Sequence, residues 1–273
     1  MVATLDQIVA VTRRKVADIK RSADLREMGR RAQEHAPRGF RRALAARNQT
    51  GVAVVAELKK ASPSRGLIRA DFDPEPLAEQ LETAGAAALS VLTDEEFFLG
   101  SLDNLQRASA RTKLPCLRKD FIVDEFQLLE ARANCADAIL VIVAVLSQAE
   151  LIALTTRARA LELDVLCEAH DEEELRRALD AGCDLIGVNN RNLRTFTVDP
   201  RTTFRLAEMI PNNVLGVAES GIAKGADIAR LRGAGYRAFL IGESLMKAES
   251  PGEALRTLLA DAEHVCSQLS AQN

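Results

Sequence analysis

Histidine and cysteine are scarce in this chain of 273 residues, and neither is clustered. The three histidines (His35, His170, His264) are scattered and read as loop residues. The five cysteines (Cys116, Cys135, Cys167, Cys183, Cys266) are odd in number, and no two stand at the spacing of a zinc pair. This pattern argues against a metal site, so no metal ligand is assigned, and it predicts buried free thiols in a reducing cytoplasm. No apolar run approaches the length needed to span a membrane, and Met1-Val2-Ala3-Thr4-Leu5-Asp6 lacks the layout of a signal peptide. The expectation is a cytoplasmic protein without a membrane partner. Neither sign of charge dominates: 36 basic and 39 acidic residues leave a net charge of -3. There is no electrostatic footprint for nucleic acid.

What is present is ample apolar material, 47% of residues, enough for a sizeable core. Thr4-Leu5-Asp6-Gln7 fits a capping box, and Leu5, Ile8, Val9, Val16 and Ile19 follow at helical spacing. A more basic helical stretch covers 23–46, interrupted near Pro37-Arg38-Gly39. Residues 1–50 therefore read as a helical extension, and 51–273 as the body of a single domain. From Gly51 a short apolar run, a polar break and an amphipathic helix repeat. The runs are 52–58, 87–92, 115–117, 138–145, 164–167, 185–188, 214–218 and 238–241. Helices are expected over 74–84, 125–134, 148–161, 172–181, 201–209, 226–233 and 251–265. Strand starts roughly 20 to 35 residues apart leave room for crossover helices and are too distant for hairpins. Eight such units predict an α/β fold, a (β/α)8 barrel of the TIM type. A doubly wound open sheet is the rival, but no G-x-G-x-x-G follows the first strand.

In such a barrel the chemistry sits at the carboxyl ends of the strands. Those ends carry Glu57 and Lys59, Lys119, Glu168, Asn189 and Glu219, which would converge on one mouth if the barrel closes. The plain alternative for each alone is a solvated loop residue. Glu57 and Lys59, two apart on a strand, share a face, and a buried carboxylate beside an ammonium is tolerable where it faces a wet pocket. In the Ser/Pro/Gly loop beside them, Ser64-Arg65-Gly66 is expected to be mobile without ligand and to act as a lid. Lysines and glutamates crowded into one mouth shift one another's pKa, and a lysine moved down or a glutamate moved up exchanges protons near neutrality. On this ground Lys119 and Glu168 are the acid and base candidates. Ser220-Gly221 and Gly242-Glu243-Ser244, the turns after strands seven and eight, suit a phosphate held by backbone N–H groups. Glu243 is awkward there, because its carboxylate would repel a phosphate. Cys167 faces the helices by alternation, which argues against a cysteine nucleophile.

These motifs resemble the indole-3-glycerol-phosphate synthase family over nearly the whole chain. The most specific are Ala56-Glu57-Leu58-Lys59-Lys60-Ala61-Ser62-Pro63-Ser64, Ser90-Val91-Leu92-Thr93-Asp94, Leu117-Arg118-Lys119-Asp120-Phe121, Ile186-Gly187-Val188-Asn189-Asn190-Arg191 and Ala218-Glu219-Ser220-Gly221-Ile222. The resemblance implies a (β/α)8 barrel with an N-terminal helical extension. Its implied activity turns 1-(2-carboxyphenylamino)-1-deoxyribulose 5-phosphate into indole-3-glycerol phosphate, carbon dioxide and water, in tryptophan biosynthesis. By that pattern Lys119 is the acid of the condensation, Glu168 moves protons in the dehydration, and Lys59 holds the substrate carboxylate. Which lysine protonates the leaving hydroxyl is left open. Glu57 and Asn189 position these groups, with Glu219 a further polar member. Ser62, Arg191 and Ser220 line the mouth; Ser220, Gly221, Gly242 and Glu243 match the phosphate cradle; Phe98, Leu117 and Leu140 wall the aromatic ring. The resemblance implies no cofactor, since the lysines supply the positive charge, a small phosphorylated molecule as partner, and a monomer. The missing tryptophan accords with a tryptophan-making enzyme. The rivals are a phosphoribosylanthranilate isomerase-type barrel, which would use a cysteine–aspartate pair, and a barrel that binds a phosphorylated ligand without turning it over.

Overall fold

Valine, isoleucine, leucine and alanine fill the apolar runs, and strands so composed are stable only when both faces are covered. The computed structural model, which describes residues 4–193 and 195–270, meets that requirement with a closed barrel. Its parallel strands are β1 (Ala53–Leu58), β2 (Ala88–Leu92), β3 (Cys116–Lys119), β4 (Ala138–Ile142), β5 (Asp164–Ala169), β6 (Leu185–Asn189), β7 (Leu215–Glu219) and β8 (Ala238–Ile241). Each pairs with its neighbours in sequence, and β1 closes the ring on β8 with Ala53 opposite Ala238.

Alternation sorts the strand residues into two cores. Val54, Ala56, Ile139, Val141, Ile186 and Val188 face outward into the layer beneath the helices. Ala53, Val55, Leu117, Leu140, Leu166, Val217 and Leu240 face the barrel axis. One run overshoots its strand where a side chain takes up the backbone carbonyls. The run 138–145 ends as a strand at Ile142, and Val143–Val145 forms a 3-10 turn. There the Arg177 guanidinium takes the carbonyls of Val143 and Leu146. Helices Glu95–Phe98, Leu102–Arg111 and Glu243–Lys247 were absent from the expected set. The loop after β1 also contains a small antiparallel pair, Ala61–Ser62 with Gly66–Leu67.

The extension comprises α1 (Leu5–Ser22), α2 (Leu25–Glu34) and α3 (Phe40–Thr50). The expected capping box forms: Gln7 N–H donates to Thr4 Oγ1 (3.4 Å), and Thr4 N–H donates to Gln7 Oε1 (2.9 Å). Helix α1 lies over the barrel mouth, where Arg13 and Lys15 pair with Glu150 and Glu95 at the starts of the helices after β4 and β2, and Lys20 pairs with Asp124 in the loop after β3. Helix α3 closes the opposite end. Its Phe40 and Leu44 are fully buried against the amino ends of the strands. Arg38 pairs with the buried Asp137 (2.6 Å) before β4, and Arg41 N–H donates to Asp164 Oδ2 (2.9 Å) at the start of β5.

One expectation is corrected. Cys167 and Cys183 are joined as a disulfide, with Cα atoms 6.6 Å apart, rather than free. They are 16 residues apart in sequence, but the crossover returns the chain so that the foot of β6 meets the outer face of β5. Cys116 and Cys135 remain thiols. Among the described residues no helix is long and apolar enough to cross a membrane, and no three His, Cys, Asp or Glu side chains are grouped to hold a metal ion.

Candidate active site

The alternation that sends Ala53 and Val55 inward sends Glu57 inward too, one step nearer the mouth. The same parity continues from Leu117 to Lys119, from Leu166 to Glu168, from Leu185 and Gly187 to Asn189, and from Val217 to Glu219. A single cavity at the carboxyl ends of the strands is lined by Glu57, Lys59, Lys119, Glu168, Asn189 and Glu219. The expected convergence therefore holds. Ser62, Phe98, Leu140, Arg191, Ser220 and Glu243 line the same cavity. Gly221 and Gly242 stand one residue behind, next to Ser220 and Glu243. Leu117 is not part of the wall; it is fully buried deeper in the barrel, because its neighbour two residues on is the one that reaches the mouth.

The charges form pairs. Lys59 Nζ donates to Glu57 Oε1 at 2.6 Å. Lys119 Nζ lies between two carboxylates, 2.8 Å from Glu168 Oε2 and 3.2 Å from Glu219 Oε2. Both carboxylates are almost completely buried. Burial works against a charged lysine, but Glu168, Glu219 and Glu57 outweigh it and hold Lys119 above the usual lysine range. Burial also pushes Glu168 up, yet Lys119 and His170 overcome it, so Glu168 lies well below the usual carboxylate range. The expected directions, lysine down or its base up, are thus reversed for this pair. The upward shift falls on Glu219, which burial and the neighbouring Glu168 charge raise to about 8 despite the pull of Lys119. The two glutamates look alike in the sequence, and their difference comes from their surroundings: Lys119 lies nearer Glu168, and His170 faces Glu168 alone. His170, read as a loop residue, stands with Nε2 3.3 Å from Glu168 Oε1 and Nδ1 2.9 Å from Glu174 Oε2. The loop reading holds for His170, in the bend after β5, and for His35, which follows α2 and contacts Asp137, whereas His264 is helical.

Two glycines make room for these carboxylates. A Cβ on Gly187 would run into the Glu219 carboxylate, and one on Gly242 would lie 2.6 Å from Glu57 Oε1. Behind the site, buried Arg118 pairs with Asp120 (3.0 Å) and Glu130 (2.8 Å), fixing the backbone on both sides of Lys119.

On the side of β6 to β8, Ser220 and Gly221 both have positive φ (65° and 80°), and Asn190 Nδ2 donates to Ser220 O (3.0 Å), holding that turn. Asn189 Oδ1 accepts the Arg191 N–H (3.0 Å). Arg191 reaches Ser64 Oγ (3.4 Å) and Glu243 Oε2 (3.4 Å), and Arg65 Nε lies 3.0 Å from Glu243 Oε1. Glu243 also pairs with Lys247 (2.6 Å). Burial alone would raise the Glu243 carboxyl, but these three cations hold it below its ordinary value. The Glu243 charge is thus balanced by Lys247, Arg65 and Arg191.

The apolar wall comes from Phe98, Leu140 and Phe121, and from Leu5 and Ile8 of α1. Phe98 and Phe121 stack obliquely with centroids 6.2 Å apart. Leu5, Ile8, Phe121 and Asp94 were not among the expected site residues. The helical period of α1 marked Leu5 and Ile8 as buried, but not what they would cover. Asp94 caps the helix Glu95–Phe98 through Phe97 N–H (2.7 Å), and burial raises its carboxyl to about 6.

Comparison with known proteins agrees with this geometry. The solved structure of thiamine phosphate pyrophosphorylase from Pyrococcus furiosus superposes with a TM-score of 0.59 over 81% of this chain and 98% of that one. At 17% identity this is a likeness of fold alone. An indole-3-glycerol phosphate synthase from Koribacter versatilis is 60% identical over 259 residues, 95% of this chain and 100% of the relative. One from Desulfotalea psychrophila is 48% identical over 255 residues, 93% of this chain and 97% of the relative. The model of the family described as indole-3-glycerol phosphate synthase matches residues 5–258, and the chain belongs to that family.

Proposed function

We propose that this barrel closes the indole ring of indole-3-glycerol phosphate, starting from 1-(2-carboxyphenylamino)-1-deoxyribulose 5-phosphate. The observation that carries the reading is the meeting of Lys59 and Lys119 with three buried carboxylates in one apolar-walled cavity. Lys119 protonates the ribulose carbonyl as the ring carbon attacks it, so the new C–C bond forms while the oxygen becomes a hydroxyl. Loss of the ring carboxylate as carbon dioxide returns its electron pair to the ring. Departure of the hydroxyl as water then needs one proton delivered and one removed, and Glu168 takes part in that transfer. Lys59, steered by Glu57, holds the substrate carboxylate. Asn189 and Glu219 position Lys119 and the ribulose chain, and Ser62 completes the polar side.

The phosphate sits at the turns after β7 and β8, on the backbone N–H groups of Ser220, Gly221, Gly242 and Glu243, with Arg191 beside it. The aromatic ring rests on Phe98, Leu140 and the α1 residues Leu5 and Ile8. On this reading 1–50 and 51–273 form one domain, since α1 supplies a wall of the cavity and α3 the floor of the barrel. The chain works as a cytoplasmic monomer without nucleic acid: its own residues supply the charged groups around the cavity, and neither sign of charge dominates its composition. An isomerase of the cysteine–aspartate kind is disfavoured, as Cys167 points away from the cavity and is paired with Cys183.

The test is to mix the purified protein with the carboxyphenylamino-deoxyribulose phosphate and follow indole fluorescence together with carbon dioxide release. Both signals should rise in step. Binding without either signal would identify a non-catalytic phosphate-ligand barrel. Rearranged sugar without decarboxylation would identify an isomerase.

A further inference from the structure

The line of alternating charges does not stop at Glu168. His170 follows two residues later and is 14% exposed at its side chain, tucked behind Glu168 and outside the cavity lining. Glu174, on the helix Glu172–Asp180, holds it twice: Glu174 Oε2 accepts the His170 backbone N–H (2.8 Å) and lies 2.9 Å from Nδ1. That grip leaves Nε2 facing Glu168 Oε1 at 3.3 Å, with no hydrogen-bond partner of its own among the described residues. The two oxygens of Glu168 are thereby divided, Oε1 toward the imidazole and Oε2 toward Lys119.

The division matters because Lys119 has two carboxylates beside it at similar distance and burial. Two carboxylates crowded at one buried site resist ionising together, and a further charge beside one of them decides which keeps its proton. His170 adds a cation on the Glu168 side only. Glu219 Oε1, the corresponding atom on the other side, is buried with no hydrogen-bond partner.

We propose that His170 is a positioning residue for the reaction: anchored by Glu174, it keeps Glu168 as the ionised carboxylate of the pair and presents Oε2 to Lys119 and the substrate. This rests on the role given to Glu168 above. The charged groups facing His170 directly are Glu168 on β5 and Glu174 on the next helix. Beyond Glu168 stand Lys119 from β3, Glu219 from β7 and Glu57 from β1. Burial disfavours the imidazolium, but Glu168 and Glu174 raise its pKa to about 10, so the cation persists through the neutral range.

The experiment compares wild type, His170→Asn and Glu174→Gln in two ways. Carboxyl-carbon NMR of the ligand-free protein reads the ionisation of Glu168 without turnover. The pH profile of kcat reads its consequence. In His170→Asn the Glu168 resonance should titrate at higher pH, and the acidic limb of kcat should move up by about one unit or more. The kcat itself should fall by on the order of 10- to 100-fold, the cost of removing a group that orients a working side chain, with KM within a few-fold. Glu174→Gln should move both readouts the same way by less. An unmoved Glu168 titration overturns the proposal, as does a fall in kcat with the limb in place, which would mark His170 as structural packing. A shifted Glu168 in a protein whose wild type makes no indole would support this arrangement and refute the proposed reaction.

Discussion

Lys119 holds its proton tightly while the cavity is empty, because two carboxylates pay for its burial. On the proposed mechanism it is a reluctant donor until a substrate carbonyl displaces one of them, which would tie proton delivery to binding. Lys119→Ala should therefore lower kcat by on the order of 10² to 10⁴ while KM changes little. Steady-state indole fluorescence checks this, and near-normal turnover would remove Lys119 from its role. Glu243 poses the opposite case, an anion in the proposed phosphate site. Its pairs with Arg65 and Arg191 keep those cations partly neutralised before the phosphate arrives. Glu243→Gln should release them and tighten binding of inorganic phosphate as a competitor by roughly 3- to 10-fold, about 1 kcal/mol. Competition kinetics measures it, and weaker binding would show that Glu243 shapes the cradle rather than opposing the phosphate.

Helix α1 couples its amphipathic period to the site. Its Arg13, Lys15 and Lys20 pair with the segments that follow β4, β2 and β3, while Leu5 and Ile8 enter the cavity wall. The ion pairs are exposed and individually weak, so the apolar contact dominates the docking. Leu5→Ala should raise KM by roughly 3- to 10-fold with kcat within about 2-fold, because it removes wall that touches substrate and transition state alike. An equal loss in kcat would instead place α1 in the chemistry. The loop after β1 is a second such element. Arg65 and Ser64 reach across the mouth to Glu243 and Arg191, so the loop after β1 is latched to the loops after β6 and β8.

The molecule as a whole is held from below by a buried ionic cluster. Asp137, with no exposed side-chain surface, accepts from Arg38, His35 and the Cys116 N–H. Burial would raise its pKa, but His35 and Arg38 outweigh that and lower it below the ordinary aspartate value. A lowered folded-state pKa means the contribution is complete above the unfolded value of about 3.9 and fades as pH drops through the folded one. Asp137→Ala should destabilise the protein by about 3 kcal/mol at pH 7. The gap from the parent should shrink below about pH 4. Urea melts at both pH values test this, and a gap that persists in acid would assign the cost to packing instead.

Much of this was legible in residue order alone. Eight apolar runs with helical spacers determined the barrel, because the period of two and the crossover length are local properties. The same period placed Glu57, Lys119, Glu168, Asn189 and Glu219 on the inner face. Tertiary structure decided what local rules cannot reach. Phe121 and α1 supply walls from segments distant in sequence, Cys167 meets Cys183 across a crossover, and Leu117 stops one layer short of the mouth. Above all, Glu168 and Glu219 look alike as residues at strand ends, and their charges differ through Lys119, which reaches across from β3 and lies nearer Glu168, together with His170 beside it. Ionisation depends on distance in space, and a sequence records distance along the chain.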